Sequence, residues 1–260
     1  MMVRHAPLSR SQLIALSVAG AVAFLIFWTL LAWVGVVPRK FLPAPLDVVQ
    51  RFTVLVVEPF AGKTLFQHLA SSFHRFASGF GLAVLIGIPL GLLMATVAWV
   101  DRLVSPMFEA VRFVAPIAWV PFAALWFGTG IGGPILIIFM GAFPPVLINT
   151  YRGARYVDIK YLEAAAMLGA SRLRVMTEVL MPASVPSIVA GLRISAGLGW
   201  QSLVGAELIA ASSGVGYMMV KGQQSIDTST VMSGMIAIGL VGLLIDMLLR
   251  RLQERVNNRG

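Results

Sequence analysis

Long apolar runs separated by short polar segments make up most of this chain. Four runs carry no charged side chain, and a fifth is interrupted only by Glu207. A helix needs about 20 apolar residues to cross a bilayer. The longest run, residues 113–151, is long enough for parts of two such helices. The pattern predicts an all-α membrane protein with six transmembrane helices, near residues 12–36, 77–98, 106–126, 132–151, 187–210 and 230–249.

The first apolar run begins like a secretory signal. Arg4 and Arg10 precede it, and Ala21 and Ala23 mimic the small residues of a cleavage site. The apolar core of a cleavable signal is about 7–15 residues long, whereas this run continues past Trp28. We therefore predict a first transmembrane helix that is retained.

Two amphipathic pieces are predicted between the first and second spans. The mixed polarity of residues 46–52 favours a short helix along the membrane surface. In residues 65–76, Leu65, Leu69 and Phe73 share one helical stripe. That stripe predicts a separate lead-in to the second span.

The net charge of +9 is explained by the positions of the basic residues relative to the predicted spans. Cytoplasmic loops of membrane proteins carry an excess of Lys and Arg. With six spans, five basic residues fall on one face and twelve on the other, namely Arg4, Arg10, Arg102, Arg152, Arg155, Lys160, Arg172, Arg174, Arg250, Arg251, Arg255 and Arg259. This predicts cytoplasmic termini and a cytoplasmic loop at residues 152–186. The basic residues form no patch interleaved with aromatics, which argues against nucleic acid as a partner.

Motifs for catalysis and for cofactor binding are absent from the sequence. It has no GxxxxGKS/T loop for nucleotide phosphates, no GxSxG and no HExxH pair. Gly128, Gly130 and Gly133 match GxGxxG but lie between two apolar spans, so we interpret them as a turn. His68 and His74 do not share a helical face and are interpreted as surface polar residues, not metal ligands. The chain is predicted to be no enzyme and to bind no cofactor or metal.

Glycine and proline inside the spans indicate where helices pack closely or break. Gly87 and Gly91 form a GxxxG pair, which allows a neighbouring helix to approach. The prolines predicted to interrupt the third and fourth spans are Pro116, Pro121, Pro144 and Pro145. Broken helices are tolerated where they line a cavity or pack on neighbours, so these two spans are candidates for a translocation path.

A polar island at residues 152–186 interrupts the apolar pattern. Asp158 is placed to cap a first short helix, Glu163 lies near its positive end, and Gly169 is placed to terminate it. An ordinary capped surface helix accounts for this spacing as well as a docking element does.

A second short helix is predicted to begin at Ser171 and to carry Arg172 and Arg174 outward. Pro182 and Pro186 are predicted to turn the chain into the fifth span, because proline removes a helical hydrogen bond.

The residue order of the island resembles the coupling segment of ABC importer permeases. The letters E-A-A begin at Glu163, a glycine follows at Gly169, and a proline closes the segment at Pro182. Segments similar to the nitrate, sulfonate, taurine and bicarbonate branch of these permeases are residues 116–121, 125–128 and 206–217. The resemblance covers most of the chain and implies the type I ABC importer permease fold.

This resemblance implies a role for the island in coupling to an ATPase. The residues expected to take part are Glu163, Ala164, Ala165, Gly169, Arg172 and Pro182. The island departs from the family at Met181, where leucine is usual, but methionine is similarly apolar and flexible.

The resemblance also implies partners and a mechanism. It implies a homodimer of this chain in the bacterial inner membrane, with two cytoplasmic ATPase subunits that hold ATP and Mg²⁺. A periplasmic binding protein would deliver a small oxyanion such as a sulfonate, nitrate or a related organic acid. Transport would follow alternating access. The implied organisation is an N-terminal helix with a periplasmic segment at 1–64, a permease core at 65–250 and a cytoplasmic tail at 251–260.

Charged and aromatic residues in the spans are candidates for the path itself. Unpaired charge in a membrane is unfavourable, so Glu109 is expected to pair with Arg112 three residues on, and Arg193 to snorkel to the surface. Glu207 is expected to form an outer gate or to contact the binding protein. The residues predicted to line the path are Arg112, Trp119, Trp200, Gln201 and Glu207.

Two other classes of function compete with an ATP-driven importer. One is an ion-coupled secondary transporter that uses Glu207 or Asp246, and the other is a membrane scaffold that transports nothing. An ion-coupled carrier needs no docking helix for an ATPase, so the polar island favours the importer.

Overall fold

Helices form nearly all of the described chain, as its apolar runs predict. The computed structural model describes residues 9–35, 37–128 and 130–257. In chain order the helices are α1 (Arg10–Val34), α2 (Pro45–Val57), α3 (Leu65–Thr96), α4 (Ala98–Val111), α5 (Val120–Phe127), α6 (Gly132–Arg155), α7 (Ile159–Met167), α8 (Arg172–Arg174), α9 (Met181–Ala210), α10 (Val215–Gln224) and α11 (Thr228–Asn257). A short 3-10 helix, Pro116–Trp119, precedes α5, and a π-helix, Val175–Leu180, joins α8 to α9.

Five helical stretches of the described chain are long and apolar enough to cross a membrane. They are α1, α3, α6, the continuous stretch Arg172–Ile209 and α11. The pair α4 and α5 makes a sixth crossing if it is counted as one span, and it is bent by 89°. The six predicted spans are therefore found, but the third is a broken one.

The break in the third span follows from proline. Ala115 has φ −55° and ψ 137°, the extended backbone that a residue before proline prefers. Pro121 lies in the first turn of α5, where its missing N–H leaves no helical bond unmade. The predicted continuous helix at 106–126 is thus wrong, whereas the predicted interruption at Pro116 is confirmed. Gly128, with φ 62°, begins the predicted turn into α6.

The predicted interruption of the fourth span is wrong, because α6 runs through Pro144 and Pro145. Neither proline has an N–H to donate, so the carbonyls of Met140 and Gly141 lack their usual partner. Asn149 Nδ2 donates to the Pro145 carbonyl at 2.8 Å. Packing against α3 and α9 holds the helix together across this site.

The centre of the fold is the packing of α6 between α3 and α9. Glycines on α3 make its contact with α6 close. A Cβ on Gly87 would lie 2.8 Å from Val146 Cγ1, and one on Gly91 would lie 2.8 Å from Thr150 Cβ. The prediction that this GxxxG pair permits close approach is confirmed.

Gly79→Ala is expected to destabilise the protein, because its Cβ would lie 2.8 Å from the Ile135 carbonyl oxygen and 2.7 Å from Ile138 Cβ. Overpacking of this kind typically costs about 1–3 kcal/mol. Gly81→Ala is the matched control, since nothing lies within 4 Å of its added Cβ. Thermal unfolding of the purified variants in detergent measures both. Equal midpoints would show that the α3–α6 contact is not close.

The lead-in predicted before the second span is part of α3 itself. The predicted stripe is confirmed at Leu65 and Leu69, which pack in the core, but not at Phe73, which is 51% exposed. His68, Ser72 and Arg75, at spacings of four and three residues, face the interior instead. These polar residues can be buried because Ser72 and Arg75 bind Glu207 and His68 binds the Gly214 N–H, as described below.

The predicted surface helix at 46–52 is the amphipathic α2, and it packs on α11. Arg51 forms an ion pair with Asp227 at 2.9 Å and donates to Thr230 Oγ1 at 2.7 Å. Helix α1 makes few contacts with the rest of the protomer and exposes apolar side chains along its length. One contact between α1 and the rest of the protomer is the hydrogen bond that Trp28 Nε1 donates to the Pro43 carbonyl, at 3.1 Å.

The path from the polar island into the fifth span differs from the prediction. The chain does not turn at Pro182 or Pro186, because both lie inside α9. The preceding π-helix widens the backbone by one residue per turn, and the Met181 N–H donates to the Met176 carbonyl, five residues back. Helical structure is thereby continuous from Arg172 to Ile209.

Candidate translocation site and coupling surface

The polar island presents a short helix whose tip is apolar and uncovered. Asp158 caps α7 by accepting a hydrogen bond from the Lys160 N–H at 3.0 Å. Beyond its C-terminus Gly169 adopts φ 69°, as a terminating glycine commonly does. Met167 is 90% exposed and Leu168 is 87% exposed. We call the exposed residues Glu163, Ala164, Met167 and Leu168 the coupling surface.

Ala165 does not belong to this surface, although the E-A-A pattern predicted that it would dock. It is 7% exposed and faces the chain's own interior, where α7 packs on the π-helix. Its carbonyl accepts the Ala170 N–H at 3.0 Å and so helps to end the helix. Its small size lets α7 lie close to its own protomer.

Arg172 and Pro182 lie outside the coupling surface as well. Arg172 opens α8, whose cap is Ser171, and its side chain is exposed. Pro182 lies in the first turn of α9 and is exposed. Since both side chains are exposed, their part in coupling stays a prediction.

The break in the third span places Arg112 where three cavities meet. Arg112 is the C-terminal capping residue of α4. It lines cavities of about 280, 360 and 130 Å³. The two larger ones share Val114, Met140 and Pro144 as walls. Arg112 therefore borders all three of these cavities at the break between α4 and α5.

The cavity of about 280 Å³ is almost wholly apolar, and the aliphatic and aromatic residues of its wall include Leu90, Val104, Met107, Phe108, Val111 and Phe143. Trp119 also lines it. The Trp119 Nε1 atom is buried and has no hydrogen-bond partner among the described residues. Trp119 thus contributes to an apolar wall, while its unsatisfied N–H is enclosed by the protein.

The cavity of about 360 Å³ has a more polar wall. Gln201 and Ser202 of α9 line it together with Met140 and Gly141 of α6. The carbonyls of Met140 and Gly141 are the two that the prolines of α6 leave without their usual donor. The structure therefore brings Arg112, Trp119 and Gln201 to neighbouring cavities, as a shared path requires.

Arg112 also makes the ion pair predicted for it. Its Nε donates to Glu109 Oε2 at 2.6 Å, and its guanidinium lies 4.5 Å from the centroid of the Phe113 ring. Both contacts lie within one turn of chain. They orient the side chain without enclosing it, since 33% of the side chain stays exposed.

Trp200 is a core residue and not the path-lining group that we predicted. It is 5% exposed, and its ring meets that of Phe76 edge-on at 5.4 Å between centroids. Its Nε1 donates to the Ile238 carbonyl at 3.1 Å. The indole thus joins α9 to α3 and α11. Sequence alone did not reveal this because the burial of Trp200 depends on where α3 and α11 pack against α9.

Glu207 is neither an exposed gate nor a contact site for a partner, because it is 2% exposed. Its Oε1 accepts from Arg75 Nη1 at 2.8 Å and from Ser72 Oγ at 2.8 Å. Its Oε2 accepts from the Gly216 N–H at 3.0 Å. This buried network joins α3, α9 and α10. The prediction for Glu207 is corrected accordingly.

The same network fixes the connection between α9 and α10. Arg75 donates to the Ser213 carbonyl at 2.6 Å and to Ser213 Oγ at 2.7 Å. Gly214, at φ 108°, passes so close to the Glu207 carboxylate that a Cβ would collide with it. The Gly214 N–H donates to His68 Nδ1 at 3.2 Å.

His68 is buried in this network, which corrects its interpretation as a surface residue. Because Nδ1 accepts a hydrogen bond, the ring proton lies on Nε2, which donates to the Phe60 carbonyl at 2.9 Å. The signal that sequence reasoning missed is the spacing of His68, Ser72 and Arg75, which puts all three on one helical face. The described residues contain no cluster of three or more His, Cys, Asp or Glu side chains suited to a metal ion.

Arg193 does not snorkel as predicted but forms an ion pair with Asp246. Its Nε donates to Asp246 Oδ1 at 2.7 Å and its Nη2 donates to Oδ2 at 3.0 Å. This two-pronged geometry is the strongest that arginine makes with a carboxylate. It ties α9 to α11 and leaves neither charge unpaired.

Comparison with known proteins identifies the family. The family model described as "Binding-protein-dependent transport system inner membrane component" matches residues 87–259. The chain is 37% identical over 251 residues to the taurine transport system permease protein TauC of Escherichia coli, covering 96% of this chain and 90% of that protein. It is 37% identical to the putative aliphatic sulfonates transport permease protein SsuC of Bacillus subtilis, covering 88% and 82%.

A cyanobacterial relative and a solved structure agree with this assignment. The bicarbonate transport system permease protein CmpB of Synechococcus elongatus is 34% identical over 249 residues, covering 93% of this chain and 88% of that protein. A chain of the MetNI methionine ABC transporter, in an inward-facing conformation, has the same fold, with a TM-score of 0.65 at 18% identity over 74% of this chain and 95% of that chain. This chain therefore belongs to the family of binding-protein-dependent inner membrane components, the permease subunits of ABC importers.

Proposed function

We propose that this permease imports a small oxyanion, of the sulfonate, nitrate or related organic acid class, with energy supplied by a separate ATPase. The observation that supports an ATPase as the energy source is the coupling surface. Met167 and Leu168 are large, apolar and almost fully exposed at the tip of a capped helix. Exposed apolar groups of this kind mark a contact site, and a cleft on a cytoplasmic ATPase is the occupant that the family membership supports.

The proposed cargo class is supported by the relatives and by the charge of the path. The relatives named above are permeases for taurine, aliphatic sulfonates and bicarbonate. In this chain the cavities around the broken span converge on the cation Arg112. The polar residues Gln201 and Ser202 line one of the same cavities. A cation accompanied by N–H donors can bind an anion of low charge density as it passes through the cavity.

The proposed assembly is a homodimer of this chain with two ATPase subunits and a periplasmic binding protein. ATP and Mg²⁺ belong to the ATPase in this proposal. The basic residues support cytoplasmic termini and a cytoplasmic coupling surface. In the same proposal residues 65–250 are the permease core, and ATP binding and hydrolysis drive the alternating access of its cavity.

The ion-coupled alternative is disfavoured by what its two candidate carboxylates contact. Glu207 is buried against Arg75 and Asp246 is paired with Arg193. A carboxylate that carries a coupling ion must exchange it with water during each cycle, whereas these two are engaged by arginine. Glu207 is enclosed by the protein, and both carboxylate oxygens of Asp246 accept from Arg193.

Uptake by proteoliposomes that contain the complete transporter and its binding protein tests the proposal. ATP enclosed on the ATPase side is expected to drive accumulation of labelled sulfonate, and a protonophore is expected to leave it unchanged. Uptake that needs a proton gradient and no ATP would contradict the energy source. ATP-driven uptake of a cation or a neutral sugar, with no oxyanion transported, would contradict only the cargo class.

A further inference from the structure

A cavity of about 900 Å³ lies between the ends of two spans and the polar island. Its walls come from the junction of α3 and α4, the C-terminal end of α6, and the segment from α7 to the π-helix. We propose that it binds one anionic phospholipid of the cytoplasmic leaflet, with the phosphate held by Arg155 and Arg172 and the acyl chains held by the apolar wall. This inference rests on the orientation given under the proposed function and concerns a site outside the translocation path.

The acyl chains are argued from the composition of the wall. Apart from Thr96, Arg155 and Arg172, the lining residues are aliphatic, methionine or tryptophan, and they include Leu93, Val97, Leu162, Leu173, Met176 and Leu180. The Thr96 hydroxyl donates to the Leu92 carbonyl at 2.9 Å and so needs no ligand. Sites for small molecules have volumes of roughly 300–1,000 Å³ and walls that are mostly apolar. Part of an acyl chain therefore fits this cavity in size and in chemistry.

The headgroup is argued from the two arginines. The lining contains Arg155 and Arg172 and no carboxylate. Neither arginine forms an ion pair with another residue that the structure describes. Asp101, the carboxylate in the first turn of α4, accepts from the Tyr151 hydroxyl at 3.1 Å instead. Guanidinium groups bind phosphate through several N–H donors at once, so the positive end of the cavity suits a lipid phosphate.

The depth of the cavity favours a lipid over a soluble anion. The long helices α3 and α6 end at its edge, at Thr96 and Arg155. Trp99, just beyond the end of α3, is 68% exposed and lines the cavity. Tryptophan is enriched where a membrane meets water, and basic pockets between helices on the cytoplasmic side bind anionic headgroups. A soluble phosphate would leave the apolar wall uncovered.

The ATPase docking proposed above does not require this cavity. The coupling surface consists of Glu163, Ala164, Met167 and Leu168, and none of these residues lines the cavity. Helix α7 contributes Leu162 to the wall instead. A lipid in the cavity would therefore contact the span ends and the polar island while the ATPase contacts the coupling surface.

Native mass spectrometry of the complete transporter, released from detergent, tests the inference. The probes are phosphatidylglycerol, phosphatidylcholine with the same acyl chains, glycerophosphoglycerol and inorganic phosphate. Phosphatidylglycerol is expected to bind at least about fivefold more tightly than phosphatidylcholine, because each basic residue near a membrane surface favours an anionic lipid by about that factor. The two probes without acyl chains should bind far more weakly, since each buried methylene contributes about fourfold.

Three outcomes of this titration would overturn the inference. Equal affinity for the two phospholipids would remove the role of the headgroup charge. Binding of inorganic phosphate as tight as that of phosphatidylglycerol would show a site for soluble anions. Phosphatidylglycerol that binds the permease alone but is excluded from the complete transporter would show that the ATPase covers the cavity.

Two variants and one control locate the site. Arg155→Gln and Arg172→Gln are each expected to weaken phosphatidylglycerol about fivefold, and the double variant about twenty-fivefold. Bound lipid is counted on particles that retain the ATPase, so a coupling defect at Arg172 does not enter the measurement. Arg251→Gln removes an exposed arginine of α11 that does not line the cavity, and it should match wild type. Equal losses in Arg251→Gln and Arg155→Gln would show that only net charge matters and would overturn the site.

Failure here is distinguishable from failure of the proposed function. ATP-driven uptake together with a transporter that does not prefer phosphatidylglycerol would leave the importer intact and reject the lipid site. Uptake without any need for ATP would reject the importer whatever lipid is bound.

Discussion

Leu168→Glu is expected to separate the permease from its ATPase while leaving the membrane helices folded. Leu168 is 87% exposed at the tip beyond α7, so the substitution removes no contact of the protomer's core. Burial of a leucine side chain is worth roughly 1.5–3 kcal/mol, and a carboxylate in an apolar cleft adds an unfavourable desolvation. ATPase binding should therefore fall by about a hundredfold or more. Co-purification of the ATPase with tagged permease measures it, and ATP-driven uptake should be lost in parallel.

Leu46→Glu is the matched control for this experiment. Leu46 is 66% exposed and lies in α2, which the order of spans puts on the opposite face of the membrane from α7. It should retain the ATPase. Glu163→Arg, which reverses the charge on the coupling surface, should weaken binding in the same direction as Leu168→Glu. If Leu168→Glu and Leu46→Glu retained the ATPase equally, the coupling surface would not be the docking site.

Glu207→Ala is expected to be among the most destabilising single changes in the described chain. It leaves Arg75, 4% exposed in its side chain, as an uncompensated charge in the interior. Removal of one partner of a buried ion pair costs about 3–5 kcal/mol. The substitution also takes the acceptor from Ser72 and from the Gly216 N–H. Thermal unfolding in detergent and the amount of protein in the membrane should both fall.

A double variant and an exposed pair serve as controls. Arg75→Met combined with Glu207→Leu should recover part of the lost stability, because the uncompensated charge is then gone. Glu254→Ala breaks an ion pair with Arg250 whose side chains are 60% and 63% exposed, and such pairs contribute little. Should Glu207→Ala unfold at the same temperature as Glu254→Ala, the Arg75–Glu207 network would not be a stabilising element.

Local chemistry made several features of this protein predictable. The six crossings were predictable because a span must be apolar along its length and must satisfy its own backbone. The Asp158 cap and the turn at Gly169 were predictable because each depends on a few adjacent residues. The extended backbone at Ala115 follows from its proline neighbour alone. The Glu109–Arg112 pair lies within one helical turn, so its spacing was sufficient.

The features that were not predictable depend on which helices become neighbours. Arg75 and Glu207 are far apart in sequence, and their pairing exists only because α3 packs beside α9 and α10. Arg193 finds Asp246 in the same way. Trp200 is buried because α3 and α11 cover its side of α9. No local pattern records these contacts.

Patterns along the chain were sufficient to identify a helical membrane permease with a capped polar element between its fourth and fifth spans. Hydropathy, charge and helix-end chemistry act over a few turns at most, which is why they can be read in order along the chain. Helix packing, in contrast, turns Ala165 inward, keeps α6 helical through Pro144 and Pro145, and places Arg112 where the cavities meet. Those outcomes depend on the angle at which each helix meets its neighbours, and that angle is set by packing between segments distant in sequence.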